Sequence, residues 1–297
     1  MTTFRAAVLQ MRSGTEPAAN IAAFSALVEE AVAAGADYVQ SPEMTGMVQR
    51  DRASLMANLR PEADDPLLLE AARLAGRHQI YVHLGSTAVP LDEGRVANRA
   101  VLFGPDGARI ATYDKIHMFD VDLDNGESWR ESRTYRPGGR AAVADLVFDD
   151  GAARLGFAVC YDMRFPHLFR EEALAGATVL TAPAAFTRQT GEAHWHVLLR
   201  ARAIENGAWM IAAAQGGVHA DGRETYGHSL IVDPWGQIVA EVDGDEPGVA
   251  IATIDTAAAA TARAKIPNLQ NARAFVVDAG DGAAGEPIRV TGAWAAE

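Results

Sequence analysis

The spacing of short apolar runs along the chain is the feature that most restricts its fold. Some neighbouring runs are separated by amphipathic, helix-length segments, and others by tight turns such as Gly104-Pro105-Asp106-Gly107. The predicted strands are residues 4–10, 37–40, 80–85, 97–103, 109–113, 143–148, 154–159, 177–182, 209–214, 228–232, 238–242 and 249–254, and the predicted helices are residues 17–34, 66–78, 166–175, 192–206 and 256–265. Crossover helices join parallel strands and hairpins join antiparallel ones. The pattern therefore predicts an α/β fold with mixed sheet structure and helices on its outer faces.

The 297 residues contain no Pro/Gly/Ser-rich linker, and we expect a single domain with a C-terminal tail from about residue 267. Residues 114–139 lose all periodicity. A segment of that length without regular structure inside a compact domain usually has a function. The sequence therefore predicts an active-site loop there.

Charge and composition exclude several classes of partner. The formal net charge is −13, whereas nucleic-acid binding needs clustered positive charge. No apolar run approaches the roughly 20 residues that span a bilayer, and the N-terminus lacks the features of a secretory signal. We therefore expect no nucleic-acid or membrane partner and a cytoplasmic location. A single cysteine excludes an intrachain disulfide framework and a thiolate-rich metal site.

Three ionisable residues stand at the ends of predicted strands: Glu43, Lys115 and Cys160. Cys160 lies where an apolar run gives way to a predicted helix, so backbone amides of the turn are expected to lower its thiol pKa from about 8.5. Lys115 is one of only two lysines in a chain that otherwise uses arginine. Taken singly, Cys160 could be an inert buried cysteine, Glu43 a loop carboxylate and Lys115 a surface charge.

Together, these three groups form a chemically coherent set. A thiolate is a nucleophile, a carboxylate takes up its proton, and a buried ammonium stabilises the oxyanion formed when a carbonyl is attacked. Ligand sites of open α/β folds collect at the carboxyl ends of strands, where all three residues stand.

The segments that carry these residues resemble the three catalytic motifs of the nitrilase superfamily of carbon–nitrogen hydrolases, in the family's order. The motifs are Ser41-Pro42-Glu43, Tyr113-Asp114-Lys115-Ile116-His117-Met118-Phe119-Asp120 and Gly156-Phe157-Ala158-Val159-Cys160-Tyr161-Asp162-Met163-Arg164-Phe165-Pro166. Further similarity extends to Val232-Asp233-Pro234-Trp235-Gly236, so that the resemblance covers nearly the whole chain. One departure is the polar pair Gln40-Ser41, where the family usually has an apolar residue.

The resemblance implies a role for each motif residue. Glu43 would be the general base, Cys160 the nucleophile, and Lys115 with the Tyr161 N–H the oxyanion hole. Glu131 would hold Lys115 and orient substrate. An amide would be hydrolysed to a carboxylate and ammonia through a thioester, without a metal or cofactor.

The resemblance also implies a four-layer α-β-β-α sandwich with mixed sheets, formed by one carbon–nitrogen hydrolase domain over residues 1–297, and a homodimer or higher homo-oligomer. A noncatalytic scaffold with the same fold is the alternative from another class. A cysteine protease is disfavoured because the local signatures of papain-like and caspase families are missing.

Within the superfamily, the chain most resembles the branch that contains amidases of deaminated glutathione and omega-amidases. The expected substrate is therefore a small anionic 2-oxo acid amide of the deaminated glutathione type. Alternatives are 2-oxoglutaramate, an N-carbamoyl amino acid or a nitrile. The substrate-binding candidates comprise three arginines that could clamp a carboxylate and two neighbouring side chains: Arg188, Arg164, Arg133, Phe186 and His194. His194 and His196 are two apart on a predicted helix, so they do not share a face and predict no metal site.

Overall fold

Two six-stranded sheets form the centre of the computed structural model, which describes residues 1–123, 126 and 128–276. The first half of the chain contains β1 (Thr3–Gln10), α1 (Pro17–Ala33), β2 (Tyr38–Gln40), α2 (Arg52–Asn58), α3 (Pro66–His78), β3 (Tyr81–Pro90), β4 (Val96–Phe103), β5 (Arg109–Asp114), β6 (Asp120–Asp122) and β7 (Ser128–Arg130). The second half contains β8 (Val143–Phe148), β9 (Gly151–Gly156), α4 (Pro166–Leu174), β10 (Val179–Thr181), α5 (Arg188–Asn206), β11 (Trp209–Ala212), β12 (Gly216–Val218), β13 (Glu224–Tyr226), β14 (Leu230–Val232), β15 (Ile238–Glu241), β16 (Gly248–Asp255) and α6 (Thr256–Lys265).

Both sheets are mixed, as predicted. The first has the strand order β16-β1-β2-β3-β4-β5, with β1, β2 and β3 parallel and the outer pairs antiparallel. The second has the order β15-β14-β11-β10-β9-β8, with β9, β10 and β11 parallel. Each sheet thus combines helix-connected parallel strands with antiparallel strands at its edges.

The two sheets pack face to face, and helices cover the outside. Apolar side chains of the first sheet, such as Val8 and Leu102, share one buried cluster with Leu155 and Ile211 of the second. A separate cluster joins α1 and α3 to the outer face of the first sheet. Residues of α4 and α5 pack on the second sheet. The layers are therefore α-β-β-α, which confirms the predicted sandwich.

The structure differs from the sequence-based prediction mainly in short elements. Residues 114–139 contain the hairpin β6–β7 and a helical turn at Glu131–Arg133, and neither α2 nor the hairpin β12–β13 was predicted. Strands of three residues are too short to show alternation, so their position depends on contacts with distant parts of the chain. Helix α5 also begins at Arg188, before the predicted residue 192.

The predicted tail lies partly outside the described residues, since residues 277–297 are not among them. Among the helices of the described ranges, none combines the length and apolar character that crossing a membrane requires.

Candidate active site

Glu43 follows β2 at the end of the first sheet and is held in a buried loop. Its Oε2 accepts a hydrogen bond from the Ala185 amide at 2.8 Å. The polar pair before it has a structural explanation: Gln40 Oε1 accepts from the Ala213 amide at 2.8 Å, and Ser41 Oγ accepts from the Gly85 amide at 3.1 Å. Gln40 therefore ties this loop to the second sheet, a contact that an apolar residue could not make.

Lys115 follows β5, and its ammonium lies between two carboxylates. Nζ is 3.0 Å from Glu43 Oε1, 3.0 Å from Glu131 Oε1 and 2.9 Å from Glu131 Oε2. The lysine side chain is only 2% exposed. Burying an ammonium without partners is very costly, so these contacts hold the charge at one point in the site.

Asn98 on β4 joins the two carboxylates, a role that was not predicted from the sequence. Its Nδ2 donates to Glu43 Oε1 at 2.8 Å and to Glu131 Oε1 at 3.2 Å. The backbone amide of Phe119 donates to Glu131 Oε2 at 2.7 Å. An asparagine within a mostly apolar strand was the signal that could have indicated this position.

Cys160 opens a helical turn, Cys160–Arg164, and three residues separate this turn from the end of β9 at Gly156. Its backbone is left-handed, with φ of 50°, and its amide donates to Pro183 O at 2.9 Å. Asp162 stabilises the turn by accepting from the Val159 amide at 2.9 Å and from the Tyr113 hydroxyl at 2.7 Å. The structure thus confirms the predicted turn, but it shows that the amide of Cys160 itself is already bonded.

The predicted lowering of the thiol pKa is wrong. Burial and the Glu43 carboxylate raise the pKa of Cys160 well above its ordinary value, and they outweigh the Lys115 ammonium, which lowers it. One ammonium faces two carboxylates here, so a third negative charge on sulfur is disfavoured. The resting cysteine is therefore a thiol, and it needs a base when it reacts.

The pKa values of the other two groups favour their charged forms. Burial raises the pKa of Glu43, but the Lys115 charge and hydrogen bonds from Cys160, Lys115 and Asn98 outweigh it, so that the pKa lies below its ordinary value. Burial lowers the pKa of Lys115, but Glu131 and Glu43 raise it further, to well above the ordinary value. Glu43 is thus a carboxylate beside a thiol, which is the protonation state that a general base requires.

A cavity of about 460 Å³ opens onto these groups. Its wall includes Glu43, Lys115, Glu131 and Cys160. An apolar part is formed by Met44, Met47, Val48, Leu55, Phe119 and Phe186, and five arginines also line it: Arg50, Arg52, Arg130, Arg133 and Arg223. This volume is typical of a pocket for a small molecule.

The predicted substrate-binding residues fall into two groups. Arg133 and Phe186 line the cavity, as does Tyr161, whose amide is the predicted oxyanion donor. Arg188, Arg164 and His194 are not part of the wall. Arg164 Nη2 lies 3.3 Å from His194 Nδ1, and its guanidinium carbon is 5.3 Å from the Phe186 ring centroid.

Arg188 requires a correction, because its guanidinium forms ion pairs away from the cavity. It contacts Asp245, and its Nε is 3.3 Å from Glu224 Oε2. With two carboxylates already beside it, this arginine is not available to a substrate, and the sequence could not show these partners because they belong to distant segments.

No metal site was predicted from the sequence, but three residues outside the cavity, His196, His228 and Glu241, bring together atoms that could bind a metal ion. His194 and His196 face different partners, as their spacing predicts, but His196 joins His228 and Glu241. The potential ligand atoms of these three residues lie within 4.8 Å of one another. His196 Nε2 and His228 Nδ1 are each 2.8 Å from Glu241 Oε1, so the carboxylate oxygen already has two hydrogen-bonding partners.

The chain is similar to known carbon–nitrogen hydrolases. A family model described as carbon-nitrogen hydrolase matches residues 5–264. The chain is similar to deaminated glutathione amidase of Synechocystis sp., with 38% identity over 279 residues, 93% of this chain and 100% of the relative. It is also 38% identical to human deaminated glutathione amidase over 271 residues, 90% of this chain and 81% of the relative.

Solved structures show the same similarity. The NitFhit protein of C. elegans has a TM-score of 0.83 at 32% identity, over 91% of this chain and 65% of that protein. A mutant amidase from Nesterenkonia sp. has a TM-score of 0.75 at 25% identity, over 91% of this chain and 94% of that one, and carries the acetamide moiety of fluoroacetamide on its active-site cysteine. The family match spans most of the chain, so this protein belongs to the carbon–nitrogen hydrolase family of the nitrilase superfamily and is a hydrolase that acts on carbon–nitrogen bonds.

Proposed function

We propose that this amidase uses Cys160 as its nucleophile and passes through a thioester. The observation that carries the proposal is the position of a protonated thiol beside a buried carboxylate, Glu43, whose charge is maintained by Lys115. An isolated thiol with a raised pKa would be a poor nucleophile near neutral pH. The adjacent carboxylate supplies the base that such a thiol needs. The cysteine adduct of the Nesterenkonia amidase supports the choice of nucleophile.

The reaction starts when Cys160 sulfur attacks the amide carbon and Glu43 takes the thiol proton. The Lys115 ammonium and the Tyr161 N–H stabilise the negative charge that develops on the carbonyl oxygen. Glu43 then passes its proton to the departing nitrogen, and the carbon–nitrogen bond breaks to leave a thioester.

Hydrolysis of the thioester uses the same carboxylate. Glu43 accepts a proton from water as the water oxygen attacks the acyl carbon, and the proton returns to the departing sulfur. The products are the carboxylic acid and the restored thiol. Glu131 contacts Lys115 through both oxygens and acts as a positioning residue, which keeps the ammonium aimed at the oxyanion. None of these steps needs a metal or an organic cofactor.

We infer that the substrate is a small anionic 2-oxo acid amide of the deaminated glutathione type. The relatives named deaminated glutathione amidase and the arginines of the cavity wall support this choice. The predicted product ammonia applies to a primary amide such as 2-oxoglutaramate. For a substituted amide, as in a deaminated peptide, the departing group is the amine of the remaining peptide. The cytoplasmic location stays a prediction from the sequence.

The test is a mass-spectrometric assay of purified protein against four compounds: deaminated glutathione, 2-oxoglutaramate, an N-carbamoyl amino acid and a nitrile. We expect fastest hydrolysis of deaminated glutathione. Rapid hydrolysis of the carbamoyl compound with little turnover of either 2-oxo acid amide would overturn the substrate assignment.

The cysteine mechanism is tested by Cys160→Ala. We expect turnover to disappear while the far-ultraviolet circular dichroism spectrum and the thermal transition stay close to those of the wild type, because a small side chain is replaced by a slightly smaller one. Normal activity in this variant would disprove the mechanism. Alkylation of Cys160 that blocks turnover of the wild type near neutral pH would distinguish an enzyme from a noncatalytic scaffold.

A further inference from the structure

Two arginines of the cavity wall pack on the same aromatic ring. The guanidinium carbons of Arg50 and Arg223 each lie 4.4 Å from the centroid of the Trp129 ring. All three residues line the cavity that contains Cys160. They come from three separate segments: the loop before α2, strand β7, and the residue just before β13.

In the described part of the chain, no ion pair balances the charge of Arg223. Among the residues that the structure describes, no carboxylate forms an ion pair with it, and its buried Nε has no hydrogen-bond partner. The cavity carboxylates Glu43 and Glu131 are both bound to Lys115. By contrast, Arg130 lies 2.8 Å from Asp122 Oδ2. An unpaired guanidinium facing a cavity in a protein of net charge −13 indicates a negatively charged ligand.

The backbone around Arg223 is held in place before any ligand arrives. Its amide donates to Asp221 Oδ1 at 3.0 Å, and its carbonyl accepts from the His219 amide at 2.8 Å. His219 is itself buried, with Nδ1 2.7 Å from Ser13 O. The Arg223 guanidinium carbon lies 4.4 Å from the Trp129 ring centroid. A guanidinium that packs on an aromatic ring can still use its N–H groups for bidentate contact with a carboxylate.

We propose that Arg223, which packs with Arg50 on the Trp129 ring, is a carboxylate-binding subsite that sets the substrate preference of this enzyme. The inference rests on the proposed function, which requires a negatively charged substrate. It transfers the carboxylate-clamping role from Arg188, which is paired with Asp245 and Glu224, to a residue that sequence reasoning did not identify. The ligand class is a small carboxylate that also carries the reacting amide.

Kinetics of Arg223→Gln and Arg223→Lys test the subsite. The substrates are deaminated glutathione and two derivatives in which one carboxylate at a time is a methyl ester. For the free acid, we expect KM to rise about 10- to 100-fold in Arg223→Gln with kcat nearly unchanged, the size expected for losing hydrogen bonds to a charged group. Arg223→Lys should recover only part of the loss, because an ammonium lacks the planar pair of donors.

With one of the two esters, the KM values of the wild type and Arg223→Gln should become equal. That ester identifies the carboxylate that Arg223 binds. Arg188→Gln is the matched control and should leave KM for all three compounds unchanged. If the difference persists with both esters, or if Arg223→Gln leaves KM for the free acid unchanged, the subsite does not exist.

A binding measurement separates this inference from the proposed reaction. Calorimetry would compare the binding of deaminated glutathione, which carries both candidate carboxylates, to Cys160→Ala and to Cys160→Ala/Arg223→Gln. We expect affinity to fall at least about 10-fold in the double variant. Weaker binding without any wild-type turnover of 2-oxo acid amides would retain the subsite and reject the proposed function. Equal affinity of the two proteins would reject the subsite even if the wild type is active.

Discussion

At the scale of single residues, the protonation of Cys160 depends on Glu43 more than on the turn that presents the thiol. The carboxylate raises the pKa of the thiol, whereas the Lys115 ammonium lowers it. The same carboxylate has a pKa below its ordinary value, since Lys115 and three hydrogen bonds outweigh the effect of burial. The pair is therefore arranged for proton transfer during attack rather than for a stable thiolate beforehand.

Glu43→Gln should separate the effect of the carboxylate on the thiol pKa from its role as the base. Loss of the carboxylate leaves the Lys115 charge acting on sulfur, so we expect the pKa of Cys160 to fall even as hydrolysis slows about 100- to 10,000-fold for want of a base. Thiolate absorbance near 240 nm, followed against pH, reports this pKa directly because the chain has 1 cysteine. The Cys160→Ala protein supplies the background. An unchanged or higher thiol pKa in Glu43→Gln would show that the Glu43 carboxylate does not raise the pKa of Cys160.

The wild-type rate gives the corresponding pH dependence. Glu43 must be a carboxylate to act as base, and Lys115 and its hydrogen bonds hold its pKa below the ordinary value. A group with a lowered pKa loses its charged form only when the pH falls through that lowered value. We therefore expect kcat/KM to stay level between pH 7 and 5 and to fall only at more acidic pH. An acidic limb centred near pH 8 would instead indicate that a free thiolate is required.

At the scale of elements, strand β3 brings the Glu43 loop and the Cys160 turn close together. A Cβ placed on Gly85 would lie 2.0 Å from Ser41 O and 2.5 Å from Pro183 Cβ. Pro183 O is also the acceptor for the Cys160 amide. A glycine is therefore required at the point where the two catalytic segments meet.

Gly85→Ala should damage both stability and catalysis. The added methyl group must push the backbone before Glu43 away from Pro183, which holds the Cys160 amide, and overpacking of this kind typically costs about 1–3 kcal/mol. A displacement near 1 Å in an active site can lower the rate about 100-fold. Urea denaturation and kcat measure the two effects. Gly139→Ala is the control, since a Cβ there meets nothing within 4 Å. Equal stability and equal kcat in the two variants would show that Gly85 is not required at this contact.

At the scale of the whole molecule, the expected homodimer remains a prediction. Two apolar side chains of helix α5 are exposed: Val197 at 67% and Ile204 at 51%. Trp235, which lies just before β15 in the sequence, is 56% exposed. Val197 and Ile204 are seven residues apart and so lie on one face of the helix. Exposed apolar side chains grouped in this way often mark an interface between chains.

Sedimentation equilibrium should therefore give about twice the 31.5 kDa mass of one chain. Val197→Glu should shift the protein toward monomer, because it places a charge on the proposed contact face. Leu69→Glu is a matched control on α3, where the original leucine is 57% exposed, and it should leave the mass unchanged. A wild-type protein that sediments as a monomer at micromolar concentration would disprove the homodimer.

The fold class was accessible from sequence because strand and helix periodicity are local properties. The same holds for Glu43, Lys115 and Cys160, which stand where apolar runs end. Short elements were missed when their residues carry little periodic signal, as in β12–β13, and the segment that holds Arg223 was missed with them.

The sequence by itself determined the α/β fold class with mixed sheets, the turn at Cys160 and the chemical identity of the three central side chains, because each follows from the order of neighbouring residues. Only the tertiary structure decided that Asn98 links Glu43 to Glu131, that Arg188 is paired with distant carboxylates, and that the thiol pKa is raised. These properties depend on burial and on charges brought together from separate strands and loops. Tertiary packing sets the distances between these segments, and no local sequence pattern predicts them.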